Sequence, residues 1–347
     1  MATCGRALHS FMMSENDQDY FMTEKFSIIK FVPELLKQRP GQRLIARDIA
    51  RLIMQTYPQA CEDKRERSKT LDSDDALLQQ IVAEIAAQRK QLEARFNLKT
   101  TEERPRKYYY STNSDSDEVA AVEGEEAPLQ EAGQADTQVA GPVRLREFDL
   151  YPLLSQFLLT ELGIYSMRID EKRARNQHGS DGNKWLYPDL VGIEDLTANW
   201  EREIIDCVSA SSETRSKLYS FEVKLLLNRA NVREAFFQAV SNSSWANFPY
   251  LVAAEIQGSE TLSELRVLSG THGIGVIRLD QANPSESELL IPALERTAID
   301  WNSANRLAAS SRDFTHFLNL VRQFYQTKDL RPQDWDYREP QQGKKKK

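Results

Sequence analysis

Lys184-Trp185-Leu186-Tyr187-Pro188-Asp189-Leu190-Val191-Gly192-Ile193 and, further on, Leu218-Tyr219-Ser220-Phe221-Glu222-Val223-Lys224-Leu225 decide how this chain is read. Each is an apolar, β-branched and aromatic run broken by one or two charges, which is the pattern of a short buried strand. A charge inside such a run costs free energy unless something pairs with it. Alternation along a strand sends Glu222 and Lys224 to the same face. If the Asp189 strand lies beside the Glu222 strand, two carboxylates and an ammonium converge. Two acids can hold a hard divalent cation such as magnesium through oxygen ligands. The ammonium can orient a water or neutralise charge developing on a phosphate. The plain alternative is a same-face ion pair on a partly exposed strand, with Asp189 capping a turn after Pro188.

The flanking elements narrow the choice. Glu147 to Leu162 reads as a helix with Tyr151, Leu154, Phe157 and Leu158 at core spacing, and Gly163 to Ile169 as a strand. After the two charged strands comes a helix from about Asn231 to Ser244, carrying Phe236-Phe237-Gln238-Ala239-Val240-Ser241, then a strand from Tyr250 to Ile256. With Pro188-Asp189 and Glu222-Val223-Lys224 set in that order of elements, the segment resembles the PD-(D/E)XK, or restriction-endonuclease-like, nuclease superfamily, in its Mrr-like form. The resemblance implies an αβββαβ core and metal-dependent hydrolysis of DNA phosphodiesters, by in-line attack of water that leaves a 5′-phosphate. It implies Asp189, Glu222 and the Val223 carbonyl as ligands of Mg2+ (or Mn2+). Lys224 would orient the water or stabilise the pentacovalent phosphate, and Gln238 would position the ensemble. It also implies an acid on the first helix, for which Glu147 is the candidate and Asp149 and Glu161 are rivals. Lys184, with Lys172, Arg173 and Arg175, puts positive charge just before the Asp189 strand, where a phosphodiester backbone needs it.

Upstream, Phe26 to Lys37 reads as a helix that Pro33 either splits or begins. Ile45 to Tyr57 reads as a second helix. A polar loop is expected from Pro58 to about Leu71. A third helix runs from Asp75 to about Phe96, with Asp74 as its N-cap. Lys99 to Tyr110 reads as a basic β-hairpin. This order resembles a winged helix-turn-helix domain. The resemblance implies DNA contacts from Arg89, Lys90 and Arg95 on the third helix and from Arg104, Arg106 and Lys107 in the wing.

Composition fits two domains in 347 residues. The expected division is an N-terminal extension (1–25), a winged-helix domain (26–111), a disordered acidic linker (112–142), a nuclease-like domain (143–330) and a flexible basic tail (331–347). The fold class is thus a two-domain α/β (α+β) protein. The net charge of −7 is unevenly spread. Residues 1–111 carry 19 Lys and Arg against 16 Asp and Glu, whereas residues 112–140 carry 8 acids and no base. A segment that acidic, with few large apolar groups, cannot offset the entropy of ordering. No apolar run approaches a bilayer span and no secretory leader is evident, so no membrane partner is expected. Cys4, Cys61 and Cys207 are odd in number and widely spaced, which fits a reducing cytoplasm. The partner the resemblance implies is DNA, in a restriction or anti-phage setting, with a second copy of the chain or partner proteins of such a system. The alternative is a nuclease-fold DNA-binding regulator or assembly subunit that no longer cuts.

Overall fold

The computed structural model describes residues 25–68, 70–123, 145–170, 173–174, 185–210 and 215–337. The chain is a mixed α/β protein whose described residues gather in two compact units. One comprises those up to Leu98 together with Lys107–Ser111; the other comprises Lys99–Arg106 and those from Thr112 onward. The first boundary therefore differs from the expected 26–111, because Lys99–Arg106 packs with the second unit.

In the first unit, α1 (Ile28–Lys37) buries Ile28, Phe31, Val32, Leu35 and Leu36 on one face. It runs through Pro33 unsplit, since apolar burial on both sides outweighs one lost backbone hydrogen bond. β1 (Leu44–Ile45) leads into α2 (Ala46–Thr56), which buries Ile49, Ala50 and Ile53. The polar loop expected after it begins instead with a helix, α3 (Pro58–Glu66), with proline in its first turn and only Ala60 and Cys61 buried. α4 (Asp74–Ala87) is capped by Ser73, whose side chain accepts from the Ala76 N–H, not by Asp74. The expected single third helix breaks at Gln88, and α5 (Arg89–Phe96) follows. β2 (Leu98–Thr100) runs over the boundary of the unit, and β3 (Lys107–Tyr110) pairs antiparallel with β1.

The segment expected to be disordered from residue 112 contains a helix, α6 (Asp115–Glu123). Then come α7 (Glu147–Leu162), β4 (Ile164–Arg168), β5 (Leu190–Asp195), α8 (Arg202–Ala210), β6 (Ser216–Leu227), α9 (Val232–Asn242) and β7 (Phe248–Ile256). α10 (Ser259–His272), β8 (Gly275–Arg278), β9 (Glu288–Ile291), α11 (Trp301–Ser310) and α12 (Arg312–Thr327) follow. The strands form one sheet in the order β4-β5-β6-β7-β8-β9. β4, β5 and β6 are antiparallel, β6, β7 and β8 parallel, and β8 and β9 antiparallel.

Strand alternation assigns the helices to faces. Phe221, Val223 and Val252 pack with Leu150, Leu154 and Leu158 of α7. Leu251 and Ala253, which flank Val252, pack with Val232, Ala235, Phe236 and Ala239 of α9. A third cluster joins Val191 and Ile193 to Trp245, Phe314 and Phe317. Trp335 belongs to it, buried, with its indole N–H donating to the Leu330 carbonyl at 2.7 Å. The tail expected to be flexible from residue 331 is thus packed as far as Asp336, whose N–H donates to the Ser166 carbonyl. Lys344–Lys347 lie outside the described residues. Among the described residues, no helix is long and apolar enough to cross a membrane.

Candidate active site

β6 outruns its neighbour. The β5–β6 register ends at Leu190 opposite Phe221, so the next outward N–H on that edge of β6, that of Val223, has no strand partner. A buried N–H needs an acceptor. Asp189, one residue before β5, supplies it: Oδ2 accepts from the Val223 N–H at 2.7 Å. The aspartate is thereby fixed against the middle of the Glu222-Val223-Lys224 segment.

Glu222 and Lys224 share a face, as alternation requires. Lys224 Nζ donates to Glu222 Oε1 at 2.7 Å, and both side chains are buried. Lys224 Nζ also lies 3.8 Å from Glu147 Oε2, in the first turn of α7. Asp149, the neighbouring rival, faces elsewhere. It accepts from the Arg146 N–H at 2.8 Å and closes a capping box, which lowers its pKa. Glu161 sits in the last turn of the same helix, exposed.

Two residues that sequence reading missed complete the cluster. Tyr151, one turn after Glu147, places its hydroxyl 3.2 Å from Glu147 Oε1 and 3.1 Å from Asp189 Oδ1, bridging the two acids. Its ring was read as core, and it does lie there; only the tip is polar. Asn242, one turn after Gln238, is buried and donates through Nδ2 to Glu222 Oε2 at 2.8 Å and to the Tyr187 carbonyl at 3.0 Å. The signal in both cases is the i, i+4 spacing from a suspected site residue. Gln238 is buried and lines a cavity of about 220 Å³ with Lys224, Asn231 and Ala235.

The electrostatics follow from three carboxylates around one ammonium. Burial, then the charge of Asp189, raises Glu147 to about 7, against the pull of Lys224. The same two causes hold Glu222 well above the usual carboxylate range. Burial alone would lower Lys224, but Glu222, Asp189 and Glu147 outweigh it and hold the ammonium above its ordinary pKa. Burial, with both acids, likewise raises the Tyr151 phenol.

The donor set suits a hard divalent cation in kind, being carboxylate oxygen with a backbone carbonyl available at Val223. It suits one in charge too, since Glu147 and Glu222 resist ionising beside Asp189 and a dication would relieve that. The carboxylates are not drawn to one centre, however. Among the described residues, no group of three or more His, Cys, Asp or Glu has the arrangement of a metal site. Glu222 is turned onto Lys224 and Asn242, and Asp189 onto the Val223 N–H.

The residues expected to touch DNA are divided between the two units. Lys90 and Arg95 are exposed on α5, while Arg89 lies 3.9 Å from Glu93 and Lys107 is half-buried on β3. Arg104 and Arg106 belong to the second unit. There the Glu102 N–H donates to the Ile256 carbonyl at 2.8 Å, and Arg106 donates to the buried Glu102 carboxylate at 2.9 Å. The tip of the expected wing thus has backbone and ion-pair contacts within that unit. Lys184, Lys172 and Arg175 lie outside the described residues. No family model matches the chain, and neither a curated protein nor a solved structure is significantly similar to it.

Proposed function

We propose that the chain is a metal-dependent DNA endonuclease of the PD-(D/E)XK kind, with an N-terminal winged helix-turn-helix domain, acting in a restriction or anti-phage setting. The observation that carries the reading is the meeting of Glu147, Asp189, Glu222 and Lys224. They come from α7, the entry to β5 and the middle of β6, and converge in a buried corner.

Asp189 and Glu222, with the Val223 carbonyl, would hold Mg2+ or Mn2+, with Glu147 as a further acid. When bound, such an ion supplies Lewis-acid stabilisation of the phosphate oxygens. The remaining work falls to the chain. Lys224 stays protonated and offers a fixed positive charge where the phosphorane gains negative charge. Glu147, with a proton affinity near neutrality, is suited to take a proton from a water beside Lys224. Tyr151 and Asn242 hold the acids in place.

The test is nicking of supercoiled plasmid in magnesium or manganese by the wild type, Asp189→Ala, Asp189→Asn and Lys224→Ala, each checked for fold by circular dichroism. The expected result is metal-dependent nicking by the wild type and loss of it in the folded variants. One observation favours a second reading, a DNA-binding subunit that no longer cuts: Lys224 is clasped by Glu222 and the acids do not share a centre. DNA binding without nicking at any metal concentration would favour it.

A further inference from the structure

The proposed site has an occupant from its own chain. α6, drawn from the acidic segment, lies on β6, and its Ser116, Val119, Ala120 and Glu123 line the same cavity as Lys224 and Gln238. We propose that the groove beneath α6 is where the substrate's phosphodiester backbone reaches Lys224, and that α6 is an autoinhibitory plug which nucleic acid must displace. The inference rests on the nuclease reading and adds the path of the strand and its regulation.

Four observations support it. First, α6 carries Asp115, Asp117, Glu118 and Glu123 and no base, so it lays four negative charges along about 13 Å of helix. That is the charge character of a nucleic-acid backbone, presented at the entrance to a site built for one. Second, the end of the helix reaches the site, since Glu123 lines one cavity with Lys224 and Gln238. Third, α6 is seated by specific contacts. Val119 is buried, the Asn228 side chain donates to the Asp115 carbonyl at 2.8 Å, and Lys99 Nζ lies 3.0 Å from both Asp115 Oδ1 and Glu118 Oε1. Fourth, little of α6 is buried. Val119 is the one buried residue of α6, and a helix of nine residues is not stable alone in water. Release therefore unfolds α6 and clears the groove. Ion pairs at a partly exposed surface are also what a polyanion competes for best, because Lys99 can exchange a carboxylate for a phosphate.

The experiment uses the full chain without divalent metal, so that no cutting intervenes. Binding of a short fluorescent duplex is measured for the wild type, Val119→Asp and Glu118→Gln, which loosens the pair with Lys99 from the α6 side, with circular dichroism to check the fold. Hydrogen exchange of the Ser116–Glu123 amides is followed in the wild type with and without the duplex. The expected result is binding about tenfold tighter in both variants, the factor by which a competent state populated about one time in ten weakens apparent affinity. Exchange in α6 is expected to speed up when DNA binds. Unchanged affinity in the folded variants, unchanged exchange on DNA binding, or no binding by any form would each overturn the plug. Failure of the nuclease reading shows separately, as absence of nicking in magnesium by released variants that do bind DNA.

Discussion

Tyr151 reaches Asp189 across 38 residues of chain, its hydroxyl 3.1 Å from Asp189 Oδ1 and 3.2 Å from Glu147 Oε1. One phenol thus ties the first helix of the second unit to the start of β5 and sets the spacing of two acids. Groups that orient metal-ligating carboxylates from behind typically matter about 10- to 100-fold. Tyr151→Phe is expected to lower metal-dependent nicking by about that factor while keeping the fold, because the buried ring is retained. Nicking rates at saturating metal, beside a thermal melt, check this.

Asn242 satisfies two buried acceptors at once, Glu222 Oε2 and the Tyr187 carbonyl. Asn242→Ala leaves both without their donor, at about 1–3 kcal/mol for a buried group so stranded. Asn242→Asp is expected to be worse, since it sets a carboxylate against Glu222 where a donor stood. Urea unfolding of the two variants beside the wild type measures the order. Equal stability of Asn242→Ala and wild type would show that Asn242 does not hold Glu222.

Cys61 and Cys207 offer a check on the packing of α3 and α8. Cys61 is buried, and burial raises its thiol to about 11 despite Lys64 and Arg65 nearby. Cys207 is exposed. Only a thiolate alkylates readily. Iodoacetamide near pH 8 is therefore expected to label Cys207 in the native protein and Cys61 only after denaturation, as read by peptide mass spectrometry.

How much of this was legible depended on how large a signal each residue type leaves. The helix over Glu147–Leu162 has these bounds in the structure because its apolar spacing is dense and Gly163 ends it, at φ 69°. The shared face of Glu222 and Lys224 follows from period-two alternation, whereas the pairing of β5 with β6 enters the sequence reading only as a condition and is given by the structure. α3 left little trace, because its buried stripe is only Ala60 and Cys61. The break at Gln88 carries neither glycine nor proline. α6 was hidden by its own acidity: composition argued for disorder, and docking on β6 provides what the segment lacks in isolation. Within the site, Asp189, Glu222 and Lys224 stood out as charges in apolar runs. Tyr151 and Asn242 did not, since each lies on an apolar helix face and its role appears only when the polar tip finds its partner.

Under the proposed function, the cluster of Glu147, Asp189 and Glu222 accepts a divalent cation. Manganese binding, followed by loss of the free-ion electron paramagnetic resonance signal, tests it without relying on DNA or activity. A single site is expected in the wild type, weakened about 10- to 100-fold in Tyr151→Phe and abolished in Asp189→Asn and Glu222→Gln that remain folded. A folded wild type that leaves the manganese signal unchanged, or one whose binding survives both acid substitutions, would contradict the account.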